Sequence, residues 1–481
     1  ICNRAKNAFA AHNMYQGNVV AWGDQDNGGD MGDLTLGVGS MDVGSTDPVL
    51  CSTAGAFAAL KADNTVVTWG NELQGGFSAN WTEELVSVDS LYSTREAFAA
   101  LKDDGTVFAW GEPSNGGDAS AVQEWLVNIE EIASSKDSFA ARNSTGAVYT
   151  WGFVEGQALK SGCVRMYANQ GAFACVMEDN TVETFGRNGY GATLPTQGNE
   201  GVSLTNIQYI HATYKCFAAV SFDGEVQSWG GFVGDDGDGC SMNPTDKLNL
   251  AAGGVTQMQS SAYNFAALKD DGSVVFWGQN YDSSEAMPFN QIKDQVNSSV
   301  VDVFSNYQGW AAVKDDGSVV LWGNGVKGID SSITDQLTSD VQYLYASAYS
   351  FAALKTGGEI VHWASVSSVH DEYDTSAIDT ELASDVVYVI TNEKALVASR
   401  LDGMAYAWGD ADSGGEMPAS VTNTMSSIVG PYRVYGSDHF NDPTIADFWM
   451  PTAEPTGAPV AIDGTSSPTV PQTEAPTAGA S

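Results

Sequence analysis

Apolar and polar residues alternate along most of the chain in short runs broken by glycine, a pattern that predicts strands joined by tight turns. One phrase carries it. The clearest copy, Ala97-Phe-Ala-Ala-Leu-Lys-Asp-Asp-Gly-Thr-Val-Phe-Ala-Trp-Gly111, returns from Ala56 to Gly70, from Phe265 to Gly278 and from Ala311 to Gly323. Its aromatic ending falls at ten positions: Trp22, Trp69, Trp110, Trp151, Phe185, Trp229, Trp277, Trp322, Trp363 and Trp408, and these number units 1 to 10. Glycine follows in every unit except the ninth, where Ala364 stands. The spacing of 34 to 48 residues is that of propeller blades and related β repeats.

Each unit reads as three strands. The first is β-branched and aromatic (Leu85 to Tyr92, Val301 to Phe304, Asp385 to Ile390), the second is the Phe-Ala-Ala-Leu run, and the third ends on the aromatic. Between second and third stands a pivotal pair such as Asp104-Gly105, Asp271-Gly272 or Asp179-Asn180, whose second member is glycine eight times and asparagine twice. Both residues tolerate the positive φ that hairpin turns require. Strand alternation sends Ala97, Ala99 and Leu101 to one face and Phe98 and Ala100 to the other, so both faces are apolar and both should be covered by neighbours. Helical periodicity is largely missing apart from one possible turn in Ser120 to Leu126. The predicted fold class is all-β: about ten three- to four-stranded units in a propeller-like ring or a superhelical array, followed by an irregular Pro/Thr-rich tail. The organisation is a repeat body over 1–424, a closing or capping segment over 425–450 and a tail over 451–481.

The apolar hairpin with its Asp-Gly turn and Trp-Gly ending resembles the regulator of chromosome condensation repeat family, most closely at residues 97–111, 265–278 and 311–323. Its exits resemble a variant ending in Gly-Gly-acid: Gly28-Gly29-Asp30, Gly116-Gly117-Asp118 and Gly414-Gly415-Glu416. The resemblance covers roughly residues 5–418 and implies a β-propeller, a fold used in that family as a scaffold and in some members for nucleotide exchange on small GTPases. The units here are shorter than that family's blades, and there are ten rather than seven.

The two ends are irregular. Only eight residues precede Phe9, too few for a first strand, whereas Met425 to Val434 looks like a spare first strand after unit 10. It can complete unit 1 of its own molecule and close a ring, or unit 1 of the next molecule and build a filament. Beyond it, residues 451–481 hold six prolines, four of them followed by Thr452, Thr456, Thr469 and Thr477, a composition that suits extended polyproline II and O-glycosylation.

Charge narrows the partners. Against 60 Asp and Glu stand 20 Lys and Arg, a net −40 over 481 residues, which disfavours nucleic acid and acidic membrane surfaces. No apolar run is long enough for a membrane span. The chain starts at Ile1, for which a removed signal peptide is the expected reason. Six cysteines without a C-x-x-C pair read as disulfides, expected as Cys2–Cys51, Cys163–Cys175 and Cys216–Cys240, the middle pair nearly opposite across a hairpin. Asn80, Asn143 and Asn297 head N-glycosylation sequons, all in turns or loops. An extracellular location is expected.

Catalytic constellations are sparse. His12, His211, His362, His370 and His439 are scattered over the chain beside no nucleophile motif. The candidate metal sites are two glycine-rich loops with alternating carboxylates, Asp24, Asp26, Asp30 and Asp410, Asp412, Glu416, of the hard-oxygen kind calcium takes, with Asp235 to Gly239 as a third. The same loops read equally as turns in which Asp binds backbone N–H groups. Calcium is the one candidate cofactor. The repeated aromatics read as seams between units rather than as a sugar-stacking surface. The expectation is a secreted, glycosylated structural protein, not an enzyme, that assembles with itself or with other extracellular matrix proteins through sheet edges and its tail. The alternative is an extracellular module that binds protein or glycan partners, with a polysaccharide-active enzyme third.

Overall fold

The computed structural model describes residues 5–417 except 14–18, 32–49, 78–80, 82, 195–203, 232–239, 241, 243, 279–288, 308, 324–325, 327–328, 365–374, 376–377 and 393, together with a strand at 432–435. Ten antiparallel sheets follow one another, one per unit. Unit 3 shows the plan: a first strand Val88–Ser93, a middle strand Ala97–Lys102 and a third strand Val107–Gly111, in that spatial order. Phe98 lies opposite Trp110 in the register, and the rings stack with centroids 5.2 Å apart. The same stacked pair recurs as Phe57–Trp69, Phe139–Trp151, Phe173–Phe185 and Phe265–Trp277. Unit 4 adds a fourth strand, Gly156–Leu159, outside its third.

The Asp-Gly turns adopt the expected conformation in all nine units where they are described. Gly105, Gly146, Gly224, Gly272, Gly317, Gly358 and Gly403 lie at φ +73 to +82, and Asn64 and Asn180 at +61 and +59. In unit 3 the Gly105 N–H donates to the Lys102 carbonyl and the Lys102 N–H to the Thr106 carbonyl. This is a three-residue loop closed by one left-handed residue, whose geometry suits the strand twist.

The seams follow from the alternation. The Phe98, Ala100 and Trp110 face of unit 3 packs on Ala56 and Ala58 of unit 2. The Ala97, Ala99 and Leu101 face packs on Phe139, Ala141 and Trp151 of unit 4. Each seam therefore sets an aromatic face against an alanine face, and small side chains let the sheets approach closely. The tenth seam answers the question of ring or superhelix: Phe9 and Trp22 of unit 1 pack on Ala395, Val397 and Ala405 of unit 10. An open array of ten units would have nine seams. Ten core clusters, one between each pair of neighbours and one between last and first, make a closed ring.

The ends complete the closure within one molecule. The strand Tyr432–Tyr435 pairs antiparallel with Ala8–Asn13, from Ala10 opposite Tyr435 to Asn13 opposite Tyr432, in the slot of unit 1's missing first strand. Of the two routes open to the spare strand, the structure takes the intramolecular one. The tail over 451–481 lies outside the described residues.

Helix content differs from the expectation. Ser120 to Leu126 holds a 3-10 turn, Gln123–Trp125, but α-helices also stand at Pro244–Ala251, Phe289–Ile292, Ser331–Gln336 and Asp379–Leu382, in the links after units 6 to 9. Elements of four to eight residues are too short for a 3.6-residue period to register. What holds these links is one or two buried anchors rather than an apolar stripe: Leu250, Ile292, Leu337 and Leu382 are each at most 4% exposed, with Val296 and Val326 buried beside the second and third.

Candidate functional site

The ring presents two rims of different chemistry. The turn rim carries the Asp-Gly hairpins. There the Asp104 carboxylate accepts from the Thr106 N–H at 2.9 Å and from its hydroxyl at 2.6 Å, and Asp271 with Ser273 and Asp316 with Ser318 repeat the arrangement. These bonds stabilise the ionised form and hold the carboxyls below the usual range; Asp63, bonded to Thr65 and Lys61, falls to about 2. With paired acids at Asp103-Asp104, Asp270-Asp271 and Asp315-Asp316, this rim is acidic, a property of solvated turns.

The exit rim carries the turns from first to middle strand and the loops that leave each third strand. On it the chain divides into a regular and a variable half. In the regular half each Gly-Gly exit is a device for the seam. The indole N–H of Trp110 donates to the Gly75 carbonyl of unit 2, and Trp69, Trp151 and Trp22 donate likewise to Gly28, Gly116 and Gly414, at 3.0 to 3.1 Å. Gly116 sits at φ +97, and a Cβ there would come within 2.6 Å of Phe139 Cδ2. The second glycine folds back on the carbonyl of the preceding Trp-Gly pair: the Gly117 N–H donates to the Glu112 carbonyl, and a Cβ on it would collide with Gly111.

These contacts explain the loops singled out for calcium. The Asp24 carboxylate caps a 3-10 turn, accepting from the Asp26 N–H and the Asn27 side-chain amide, each at 2.9 Å. Asp410 accepts from the Ser413 N–H at 2.7 Å. At the same place in units 2 and 3 stand Asn71 and Glu112, which cap in the same way. Asp26, Asp30, Asp412 and Glu416 are exposed. Among the described residues no group of three or more His, Cys, Asp or Glu is placed to hold a metal ion, and Asp235 to Gly239 lies outside them.

Unit 5 keeps only the first glycine, Gly191, whose carbonyl takes the Trp229 indole N–H at 3.2 Å, and units 4 and 6 to 9 depart from the Gly-Gly exit in sequence, units 6 to 9 forming a continuous stretch. The indoles that units 6 to 9 face, Trp277, Trp322, Trp363 and Trp408, have no hydrogen-bond partner for Nε1 among the described residues. On this half lies a feature that the sequence reading missed. Tyr214, Tyr263, Tyr307 and Tyr349, one from each unit, stand at the turn before the middle strand and form a continuous cluster. Ring centroids are 5.4 Å apart for Tyr214 and Tyr263, 6.0 Å for Tyr263 and Tyr307, and 6.2 Å for Tyr307 and Tyr349. The Tyr263 and Tyr307 hydroxyls are 3.3 Å apart. All four rings are partly exposed. The backbone beneath is stitched from unit to unit, the Tyr214 N–H donating to the Ala262 carbonyl and the Tyr307 N–H to the Ala348 carbonyl. The signal available in the sequence was the two-residue window before each Phe-Ala-Ala strand. It holds a tyrosine in four successive units, where units 2 to 5 have Ala54-Gly55, Arg95-Glu96, Lys136-Asp137 and Gln170-Gly171.

Basic residues flank the cluster. Lys215 follows Tyr214 in the chain, and in unit 5 Arg187 binds Asp137 at 2.6 Å while its guanidinium lies 3.5 Å from the centroid of Phe153, itself 64% exposed.

The remaining candidates distribute as follows. His211 is buried in unit 6 and His362 is half-buried in unit 9; desolvation lowers the first to about 4 and the second to about 3, so both are neutral at neutral pH. The side chains of His12, His370 and His439 are outside the described residues. Disulfides link Cys163 to Cys175 and Cys216 to Cys240, and Cys51 is also disulfide-bonded, with Cys2 outside the described residues. Cys163 and Cys175 are not opposite each other: a bulge sets Cys163 against Met177 and Cys175 against Met166, and the bond crosses diagonally over a Cα separation of 5.8 Å. Asn297 is exposed, Asn143 closes a hairpin turn with its side-chain oxygen accepting from Thr145, and Asn80 is outside the described residues, as are Thr452, Thr456, Thr469 and Thr477.

No family model matches the chain, and no curated protein matches it. Among solved structures it is similar to the CRINKLY WD40 ectodomain of the Arabidopsis thaliana receptor kinase ACR4, at 16% identity over 56% of this chain and 90% of that one, with a TM-score of 0.31. It is similar to Prp20p of Saccharomyces cerevisiae, at 12% identity over 67% of this chain and 82% of that one, with a TM-score of 0.33. Human WBSCR16 matches at 12% identity over 80% of this chain and 96% of that one, with a TM-score of 0.34.

Proposed function

We propose that this chain is a secreted, glycosylated structural ring that docks into an extracellular fibre, appendage or matrix through the variable half of its exit rim. The observation that carries the reading is the cluster of Tyr214, Tyr263, Tyr307 and Tyr349. Buried tyrosines usually serve one core; these lie side by side at a rim with apolar faces and polar edges, the make-up of a protein docking surface. The disulfides support an oxidising compartment. The exposed Asn297 supports glycosylation. The Gly-Gly-acid loops serve as caps and seams in this reading and need no calcium, and the neutral His211 and His362 supply no acid or base.

The test is sedimentation of the secreted protein with its native extracellular material, wild type against Tyr263→Ser/Tyr307→Ser. The wild type is expected to co-sediment and the variant to stay in solution with an unchanged melting temperature. Equal co-sedimentation of both would remove the rim from the account. The alternative reading, a module for a foreign protein or glycan, uses the same face. It takes over if the wild type never associates with its own kind.

A further inference from the structure

The tyrosines of the exit rim alternate between two places in the turn. Tyr214 and Tyr307 stand three residues before Phe217 and Trp310 of their middle strands, whereas Tyr263 and Tyr349 stand two before Phe265 and Phe351. Tyr214 and Tyr307 thus hold equivalent places in units 6 and 8 and close on Tyr263 of unit 7 from either side. Their ring centroids are 6.3 Å from each other, and 5.4 and 6.0 Å from that of Tyr263. The three rings make a triangle, joined to Tyr349 through Tyr307. Rings at these separations touch one another and leave no room among them for a ligand. The chemistry open to the cluster is that of its phenols.

One pair is set apart by its hydroxyls. Tyr263 and Tyr307 meet edge to face at 78°, with the two hydroxyl oxygens 3.3 Å apart. When a phenol loses one electron and one proton, the unpaired spin spreads from oxygen to the ring carbons beside it. Two such rings couple through those carbons, and hydroxyls in contact bring them together. Both residues are partly exposed at the end of a turn, so an oxidant can reach them and the rings can turn the rest of the way. The described cysteines are all in disulfides, so no thiol among them competes as reductant. Those disulfides also fit an oxidising compartment.

We infer that Tyr263 and Tyr307 are an oxidative modification site, at which the two rings couple into a dityrosine that staples unit 7 to unit 8. Each phenol gives up one electron and one proton. The two radicals form one carbon–carbon bond between the positions ortho to their hydroxyls. The hydrogen on each coupled carbon then passes through water to the oxygen, so both hydroxyls are kept. The two electrons and two protons reduce one hydrogen peroxide to two waters, with a haem peroxidase taking the electrons one at a time. The link closes a loop of 44 residues and, like a disulfide, limits the unfolded chain. It is intramolecular, so it survives dispersal of assembled material and leaves both rings at the rim. The inference rests on the extracellular reading above, which supplies the oxidant, and not on the docking partner.

The experiment treats the dispersed full-length protein with hydrogen peroxide and a haem peroxidase and maps its peptides by mass spectrometry, wild type against Tyr263→Phe and Tyr149→Phe. The expected main product is a monomer two hydrogens lighter, in which the peptide carrying Tyr263 is joined to the peptide carrying Tyr307. Tyr263→Phe keeps the ring without the phenol and should lose this product at unchanged melting temperature, whereas Tyr149→Phe should retain it. The chain has 18 tyrosines, so coupling governed by exposure alone would spread over other pairs or join separate molecules. Either of those outcomes, or no coupling, overturns the site. Native material mapped without added oxidant should carry the same joined peptides, and their absence there overturns the modification. None of these results depends on docking. A ring that co-sediments without forming the link loses the staple and keeps the docking face, and a linked ring that never co-sediments does the reverse.

Discussion

If the ring is closed, the exit glycine of the last unit must be as intolerant of a side chain as those inside the array. Gly414 lies at φ +89, and a Cβ there would come within 2.8 Å of Phe9 Cδ2 and 3.3 Å of Trp22 Cδ1. Gly116, in the seam between units 3 and 4, lies at φ +97 with a Cβ position 2.6 Å from Phe139 Cδ2. Alanine in either place costs about 1–2 kcal/mol for the left-handed backbone and about 1–3 kcal/mol for overpacking. Against this, the stiffer unfolded chain returns roughly 0.4–1 kcal/mol. The net is a loss of about 2–4 kcal/mol for Gly414→Ala and for Gly116→Ala alike. Gly156 is the control: it lies at φ +123 with nothing within 4 Å of a Cβ, so Gly156→Ala should cost only the backbone part, about 1 kcal/mol. Urea unfolding followed by tryptophan fluorescence separates these cases, because all three variants are compared with one parent. A Gly414→Ala variant as mild as Gly156→Ala would mean that unit 10 does not abut unit 1, and the closed ring would be wrong.

Other outcomes follow from the same contacts. Trp110→Phe strands the Gly75 carbonyl, whereas the Trp277 indole has no acceptor to lose, so Trp110→Phe should be the more destabilising by about 1–2 kcal/mol in the same assay; equal losses would deny the indole bond its role. Asp302 accepts from the Gln257 side-chain amide and the Val303 N–H on the first strand of unit 8, and burial pushes its carboxyl up to about 6. Its folded form therefore holds the proton more tightly than the unfolded chain, so the contribution of Asp302 to stability is fully present below pH ~4 and is lost as pH rises through about 6. Asp302→Asn should be more stable than wild type by about 1–2 kcal/mol at pH 8 after allowing for partial solvent access, with the gap closing by pH ~4; a gap independent of pH would contradict the shift. Because Asp24 and Asp410 are engaged as caps, thermal melting in calcium and in chelator should coincide, and a stabilisation by calcium of several degrees would reassign those loops as metal sites.

What was legible in the sequence was whatever repeats at a fixed local spacing. The hairpin could be read from Asp104-Gly105, because the turn conformation is a property of two or three residues. The seams could be read from the alternation of Phe98 and Ala100 with Ala97 and Ala99. Closure could be read only as a choice, since ring and superhelix differ by a small rotation per seam that no residue encodes alone; the contact of Phe9 with Gly414 settles it across the whole chain. The short helices after units 6 to 9 escaped because one or two buried aliphatic residues, not a stripe, hold each. The tyrosine cluster escaped for a different reason: Tyr214 and Tyr349 are 135 residues apart and become neighbours only when the units fan around an axis. The carboxylate spacing at Asp24, Asp26 and Asp30 was visible, but its use as a cap depends on where the 3-10 turn begins.

The central claim is that the regular units build the ring and the variable half of one rim does the docking. Oxidative footprinting of tyrosine side chains, in native assembled material against the dispersed protein, tests it most directly. The account predicts that assembly protects Tyr214, Tyr263, Tyr307 and Tyr349 together, and leaves Tyr149, part of the seam between units 3 and 4, unchanged. Protection that bypasses those four tyrosines would contradict it.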